Sequence, residues 1–380
     1  QLKEEKKELE ERIKTYEAIL TSEKALLNKI KADLRKMKKQ YPSKRRTTIE
    51  EEIEEIKINI EVTVPQETVV VSATKDGYVK RTSLRSYNAS KKSDLTLKKS
   101  DHLISLFEMD TTDNILLFTN MGKYVMIPVY ELPDIRWRDT GVHISNIVEL
   151  DNDERIIASI PVKRFEEERF VVFFTKHGLV KKTALKEYET TRTKNSLIAI
   201  NLKQGDEVVN VSITGENSPL YIATHNGYGI CFEAGQISPV GIRAQGVIGI
   251  QLKEDDHVIN GFADRGDAFD LFVVTQRGAV KRMPKRVLEP SQRARRGVQL
   301  LRTLKTKPHR LIYFEQLSNE VEENVFVVTD KEKVFEIVPL QLPESERNTN
   351  GSFILEEDED GNVIYAFKDE PYTVPFQENE

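Results

Sequence analysis

The sequence predicts a mainly β protein: a propeller-like ring of six blades, preceded by an N-terminal α-helical coiled-coil segment. Three observations carry that prediction. One motif, an apolar run followed by Thr-x-x-Gly and a second strand, recurs along residues 66–340. Its anchoring threonines, Thr74, Thr119, Thr175, Thr224, Thr275 and Thr329, lie 45 to 56 residues apart, the length of a four-stranded blade. Residues 1–40 contain neither glycine nor proline and space their apolar side chains in a 4-3 pattern.

The arm, residues 1–41, comes first. Leu9, Ile13, Tyr16, Leu20, Leu27, Ile30, Leu34 and Met37 form one seam, broken at Glu23. So narrow a stripe between densely charged flanks predicts a coiled coil that needs a partner helix. The alternative is an amphipathic helix packed on a globular core. Pro42 stops the pattern. Residues 42–65 predict a short helix, with Thr48 and Glu51 as a capping box. A linker follows that turns strand-like at "INIEVTV" (58–64). The chain opens inside the charged helical pattern, which reads as part of a longer protein.

The blades fill 66–340. The motif reads "VVVSATKDGYVKR" (69–81), "ILLFTNMGKYVM" (115–126), "VVFFTKHGLVKK" (171–182), "LYIATHNGYGICF" (220–232), "LFVVTQRGAVKR" (271–282) and "VFVVTDKEKVFE" (325–336). Glycine suits the turn because it reaches positive φ without steric cost. Further short strands follow turns rich in acids ("DNDER", "KQGDE", "KEDDH"). Two β-sandwiches are the alternative; six near-equal units favour the ring. Residues 341–380 read as final strands and an acidic tail, with eleven acids against Arg347 and Lys368. That tail is either solvated or a mimic of DNA competing for basic surface.

Charge placement carries the functional signal. Three and four residues after the turn glycine, repeats one, three and five carry Lys80-Arg81, Lys181-Lys182 and Lys281-Arg282. Repeats two and four carry Val125-Met126 and Ile230-Cys231, and the sixth has Glu332 in place of glycine. Alternate blades of a ring would then offer basic points to a polyanion bent around the rim. From Arg277 to Arg310 twelve bases face one acid, Glu289, so a formal net charge of −5 does not exclude nucleic acid. Arginine and lysine contact phosphate without reading sequence. The candidate DNA-binding residues are Lys80, Arg81, Lys91, Lys92, Lys181, Lys182, Arg243, Lys281, Arg282, Arg293, Arg295 and Arg296, with Arg192 and Lys194 in a related loop. Gly297 beside the arginines predicts a close backbone approach to phosphate. No recognition helix or zinc-finger spacing is present.

Other chemistry finds no support. The six histidines show no ligand spacing, and no triad surrounds any serine. Cys231 stands alone, which fits a reduced setting and a small buried side chain. No apolar run approaches the roughly 18 residues that span a membrane. Trp137 between Arg136 and Arg138 either stacks on a base or packs between blades, and packing is favoured.

At these residues the sequence resembles a known family. "VVFFTKHGLVKKTALKEYE", "ILLFTNMGKYVMIPVYELPDI" and "GIRAQGVIGIQL" resemble the carboxy-terminal DNA-wrapping domain of bacterial type IIA topoisomerase A subunits. The arm and "KKQYPSKRRTTIEEEI" resemble the end of that family's breakage-reunion core. Its gyrase branch carries a Gln-Arg-Arg-Gly-Gly-Lys-Gly box in the first blade. Here the loop after Tyr87 reads "NASKKSDLTLKKSDH", with neither Arg-Arg nor Gly-Gly. The resemblance is therefore to the topoisomerase IV branch. The alternatives are a gyrase-type domain with a degenerate box, "SQRARRGV" (291–298) or "GIRAQGVIG" (241–249), and a protein-interaction scaffold.

The resemblance implies a six-bladed β-pinwheel with double-stranded DNA along its outer rim, and non-sequence-specific DNA binding and bending. For the whole enzyme it implies ATP-dependent double-strand passage, with Mg²⁺ and with ATP on the other type of chain. The implied partners are the B subunit of topoisomerase IV and a second copy of the A subunit, in an A2B2 assembly, in the cytoplasm on the nucleoid. This stretch is expected to bind no cofactor. The family's catalytic tyrosine lies upstream of the matched region, so no catalytic residue is assigned.

Overall fold

The computed structural model describes residues 1–42 and 64–369, apart from 99, 152 and 167. The predicted capping box at Thr48 and Glu51, most of the strand-like stretch 58–64 and residues 370–380 lie outside the described residues. The chain divides into two compact units, Gln1–Ile58 and Asn59–Glu380.

In the first unit the arm is two helices, α1 (Leu2–Thr21) and α2 (Glu23–Gln40). Ser22 between them is extended, with φ −127° and ψ 111°. Its hydroxyl accepts from Ala25 N–H at 3.4 Å, an N-cap that restarts the helix. The seam break read at Glu23 is thus a break in the backbone. No residue of either helix is buried, so Leu9, Ile13, Leu34 and Met37 lie exposed.

The second unit is built from six small antiparallel sheets. In the first, β1 (Thr68–Thr74) and β2 (Tyr78–Ser83) form a hairpin, and β3 (Leu103–Asp110) pairs with β1. A two-residue strand, β6 (Val142–His143), completes it on the far edge of β2. This short strand comes from the loop after the next hairpin, β4 (Asn114–Thr119) and β5 (Lys123–Pro128). Each later repeat donates a strand backwards in the same way.

The remaining hairpins are β8 (Phe170–Thr175) with β9 (Leu179–Ala184), β12 (Pro219–Thr224) with β13 (Tyr228–Glu233), β16 (Phe269–Thr275) with β17 (Ala279–Pro284), and β20 (Val325–Thr329) with β21 (Val334–Ile337). Their third strands are β7 (Ile156–Val162) for the second blade, then β11 (Val208–Thr214), β15 (Val258–Ala263), β19 (Leu311–Ser318) and β23 (Val363–Lys368). The donated strands are β10 (Leu197–Ile198), β14 (Val247–Ile248), β18 (Val298–Gln299) and β22 (Ser352–Phe353). Among the described residues the sixth sheet has three strands and receives no donated one.

Consecutive third strands lie side by side, β3 beside β7 and so on to β23, and line a central cavity. His102 stacks on Phe367, ring centroids 4.1 Å apart, which brings the sixth blade against the first. Apolar clusters fill the spaces between neighbouring blades. Leu116, Phe118, Phe173 and Tyr188 occupy the second-to-third space, for example, and Phe272, Val274, Val325 and Val327 the fifth-to-sixth. A strand buried on both faces needs no polar alternation, which is why runs such as "VVFF" are continuously apolar.

In the first blade, α3 (Leu84–Asn88) and Trp137 pack against Val70 and Leu106. Trp137 is packed there. Its Nε1–H donates to Lys91 O at 3.1 Å, and its ring meets Tyr87 edge-on. Cys231 is buried in the fourth blade, and burial pushes its thiol up to about 11.

The segment after residue 340 is woven into the fold. It contributes β22 to the fifth sheet and β23 to the sixth. Between them α4 (Glu357–Asp360) pairs Glu357 with Arg277 at 2.9 Å and Asp360 with Lys333 at 2.6 Å. These acids belong to a tied element and not to a solvated tail.

Candidate nucleic-acid interface

The threonine motif is a hydrogen-bonded device. At each hairpin the threonine hydroxyl accepts from the N–H four residues on, as Leu179 to Thr175 at 3.1 Å and Ala279 to Thr275 at 3.1 Å. The turn glycine N–H donates to the threonine carbonyl, as Gly178 to Thr175 at 2.9 Å. The acids of the inter-repeat turns cap these hairpins. Asp206 accepts from His177 N–H at 2.9 Å, Asp256 from Asn226 at 2.9 Å and Asp101 from Asp76 at 2.9 Å.

The basic pairs do not lie on an open rim. Lys80, Lys181, Lys182 and Lys281 are buried, 1–2 % exposed. Successive strand residues point to opposite faces, and in a blade both faces are covered. Their ammonium groups are satisfied by backbone carbonyls. Lys80 Nζ donates to Trp137 O and Asp139 O, each at 2.6 Å, and to Arg136 O at 3.2 Å. Lys181 Nζ reaches Ala199 O at 2.5 Å and Ile242 O at 2.6 Å. Lys182 Nζ reaches Ala234 O at 2.8 Å and Glu216 O at 3.4 Å. Lys281 Nζ holds the carbonyls of Leu300, Glu346, Arg347 and Thr349. Burial lowers Lys80 and Lys281 to about 8 and Lys181 to about 7. Arg282 is turned inward to Asp270 at 3.1 Å and Leu342 O at 3.1 Å, and Arg81 is half-buried. The expectation of three exposed basic points is corrected on these contacts.

Basic residues also recur on the five loops that carry the donated strands, exposed at Arg136, Arg138, Arg192, Lys194, Arg243 and Arg295 and half-buried at Arg293, Arg296 and Arg347. Arg136 and Arg138 precede β6, Arg192 and Lys194 precede β10, and Arg243 precedes β14. Arg293, Arg295 and Arg296 precede β18, and Arg347 precedes β22. Arg192, Arg243 and Arg295 are exposed, and among the described residues none of the three pairs with a carboxylate. Arg136 is paired with Asp139 at 3.1 Å and Arg138 with Asp94 at 3.3 Å, on side chains 82 % and 66 % exposed. Such exposed pairs are weak and exchange readily for phosphate. Lys91 is exposed, and the side chain of Lys92 lies outside what is described.

The loop of "SQRARRGV" is tied to the blade by its arginines. Arg293 donates to Gln236 O at 3.0 Å and Ile248 O at 2.9 Å, so it binds the loop to the blade. The Arg296 guanidinium lies 3.9 Å from the Tyr228 ring centroid and donates to its hydroxyl. Gly297 has a structural reason: a Cβ there would collide with Gly229 O. A groove of about 590 Å³ runs beside this loop, lined among others by Arg286, Ser291, Gly297 and Arg347.

In sequence, Arg136 and Arg138 read only as flanks of Trp137, and Arg347 carries no signal of its own. A basic residue two to six positions before the donated strand in all five loops is the signal that finds them. Among the described residues no group of His, Cys, Asp or Glu is arranged to hold a metal, and no helix is long and apolar enough to cross a membrane.

The model of the family described as "DNA gyrase C-terminal domain, beta-propeller" matches residues 68–107, 113–163, 169–214, 219–263 and 270–318. The chain belongs to this family. The five matched stretches are the first five blades. The A subunit of DNA topoisomerase 4 from Bacillus subtilis (strain 168) is 47% identical over 368 residues, 97% of this chain and 45% of that protein. The same-named protein of Staphylococcus epidermidis is 41% identical over 362 residues, 95% of this chain and 45% of its own length. The chain spans about half the length of the curated relatives it matches.

Among solved structures, the C-terminal domain of DNA topoisomerase IV is 46% identical, with a TM-score of 0.75, over 80% of this chain and 94% of that one. The DNA gyrase A C-terminal domain has a TM-score of 0.59 at 21% identity, over 80% and 99% of the two chains, a likeness of fold. The family domain is thus more similar to its topoisomerase IV relatives, as the missing first-blade box predicted.

Proposed function

We propose that this chain binds double-stranded DNA without reading its sequence, along the donated-strand loops, as the C-terminal part of the A subunit of a topoisomerase IV. The observation that carries the reading is the repetition. Five loops at corresponding places in successive blades each present at least one arginine. Arginine side chains on loops supply charge and bidentate phosphate contacts with no base-reading element. Blades spaced around a ring would hold a duplex on a curved path.

The parent enzyme would perform ATP-dependent double-strand passage, decatenating and relaxing DNA. Its B subunit and a second copy of the A subunit would complete an A2B2 assembly in the bacterial cytoplasm. The family implies Mg²⁺ and ATP for that enzyme. Among the described residues no group of His, Cys, Asp or Glu is arranged to hold a metal. The work of this part of the chain is to hold DNA in place.

Duplex binding measured against salt tests the reading. The logarithm of affinity should fall linearly with the logarithm of salt. Changing Arg243, Arg295 and Arg347 together to alanine should reduce that slope by about 3. A slope equal to that of the wild type would remove the loops as the interface.

A further inference from the structure

Three buried lysines recur in blades one, three and five, and each grips carbonyls of the rim loops. Resting on the DNA-binding reading above, we propose that Lys80, Lys181 and Lys281 are positioning residues of the rim, fixing the backbone of the arginine-bearing loops without touching phosphate. Lys80 holds the carbonyls of residues 136, 137 and 139, the loop of Arg136 and Arg138. Lys181 holds Ala199 O, at the end of the loop of Arg192, and Ile242 O, next to Arg243. Lys281 holds Leu300 O, at the end of the loop of Arg295 and Arg296, and three carbonyls around Arg347.

The alternation then has a cause. Lys181 and Lys281 each span two consecutive loops: the one their own repeat donates and the one their blade receives. With Lys80 at the start of the ring, three lysines cover all five loops. Blades two and four need none, and their equivalents Val125 and Ile230 are buried core. An ammonium is suited to the task because it directs three donors at converging carbonyls. A thioether of similar length fills the space but leaves the carbonyls unpaired.

The test uses the full chain and linear duplex DNA. Lys281→Met is compared with Val274→Ala, a core truncation in the same blade that grips no loop. Both are expected to lower the melting temperature. Only Lys281→Met should also weaken DNA binding, by about tenfold, the effect of one lost arginine contact. It should also speed amide exchange at 294–300 and 345–350. In a background of Arg295→Ala and Arg347→Ala the lysine change should cost little more, since the side chains it positions are gone. Affinity equal to the wild type, or a loss no larger than that of Val274→Ala, would overturn the proposal. Should Lys281→Met not fold, Lys80→Met answers the same question on one loop, read against Arg136→Ala and Arg138→Ala. If the arginine variants themselves bind like the wild type, the rim reading falls, and the positioning role falls with it.

Discussion

At the residue scale, the hairpin glycine does two jobs, and Glu332 shows which one is dispensable. In blades one to five an apolar side chain one or two residues past the donated strand sits beneath this glycine: Ile144, Ile200, Ile250, Leu301 and Leu355. A Cβ at Gly278 would collide with Leu355, and its φ of +76° is left-handed. Glu332 has φ +57°, yet among the described residues no donated strand reaches its sheet, so a side chain is tolerated. Gly278→Ala should therefore cost about 2 kcal/mol or more, and Glu332→Gly under about 1 kcal/mol, measured by chemical denaturation. The recurrence of the glycine was legible in sequence, but its steric partner about 75 residues onward was not.

The buried lysines make a pH prediction at the same scale. Burial puts Lys181 at about 7 in the fold, below the ordinary lysine value that the unfolded chain keeps. Between those values the unfolded state holds more protons, so the contribution of this group to stability rises with pH. The melting temperature of the wild type should gain on that of Lys181→Met between about pH 7 and about pH 9. A constant gap would mean that the carbonyl pair keeps the ammonium charged throughout.

At the scale of the element, the donated strand explains most of what the sequence left unread. Hairpins and third strands were legible because each has five or more apolar or alternating residues within one repeat. A two-residue strand has no periodicity, and its partner lies in the preceding repeat. The basic pairs mislead for a related reason: a lysine pair on a strand looks solvated until both faces of the sheet are known to be covered. The acidic segment near 357–360 reads as a tail by composition alone, because its partners Arg277 and Lys333 are distant in sequence. Ending the chain at residue 350 would remove β22 and β23 and expose both hairpins they cover. That truncation should lower and broaden the thermal transition, whereas ending at residue 369 should not. An identical transition for the two would deny these strands their structural part.

At the scale of the ring, the seam between blades six and one is unlike the other five junctions. Among the described residues no strand is donated across it. Side chains close it: His102 stacks on Phe367, and Lys75 Nζ lies 4.7 Å from the Tyr365 ring centroid. Burial, aided by Lys75, lowers His102 to about 4, so the stacked imidazole is neutral near neutral pH. Its unfolded value is about 6.5. The stability it contributes is full above that value and is lost as pH falls towards 4, because the unfolded chain takes up the proton first. The seam should thus be the first junction to open in acid. Amides of β3 and β23 should exchange faster at about pH 5 than at about pH 7, relative to those of β11 and β15, which a donated-strand junction holds. His102→Phe keeps a stacking ring and removes the proton, so it should abolish that difference. Equal acid sensitivity in the wild type and His102→Phe would mean that the ring is closed by something other than this stack.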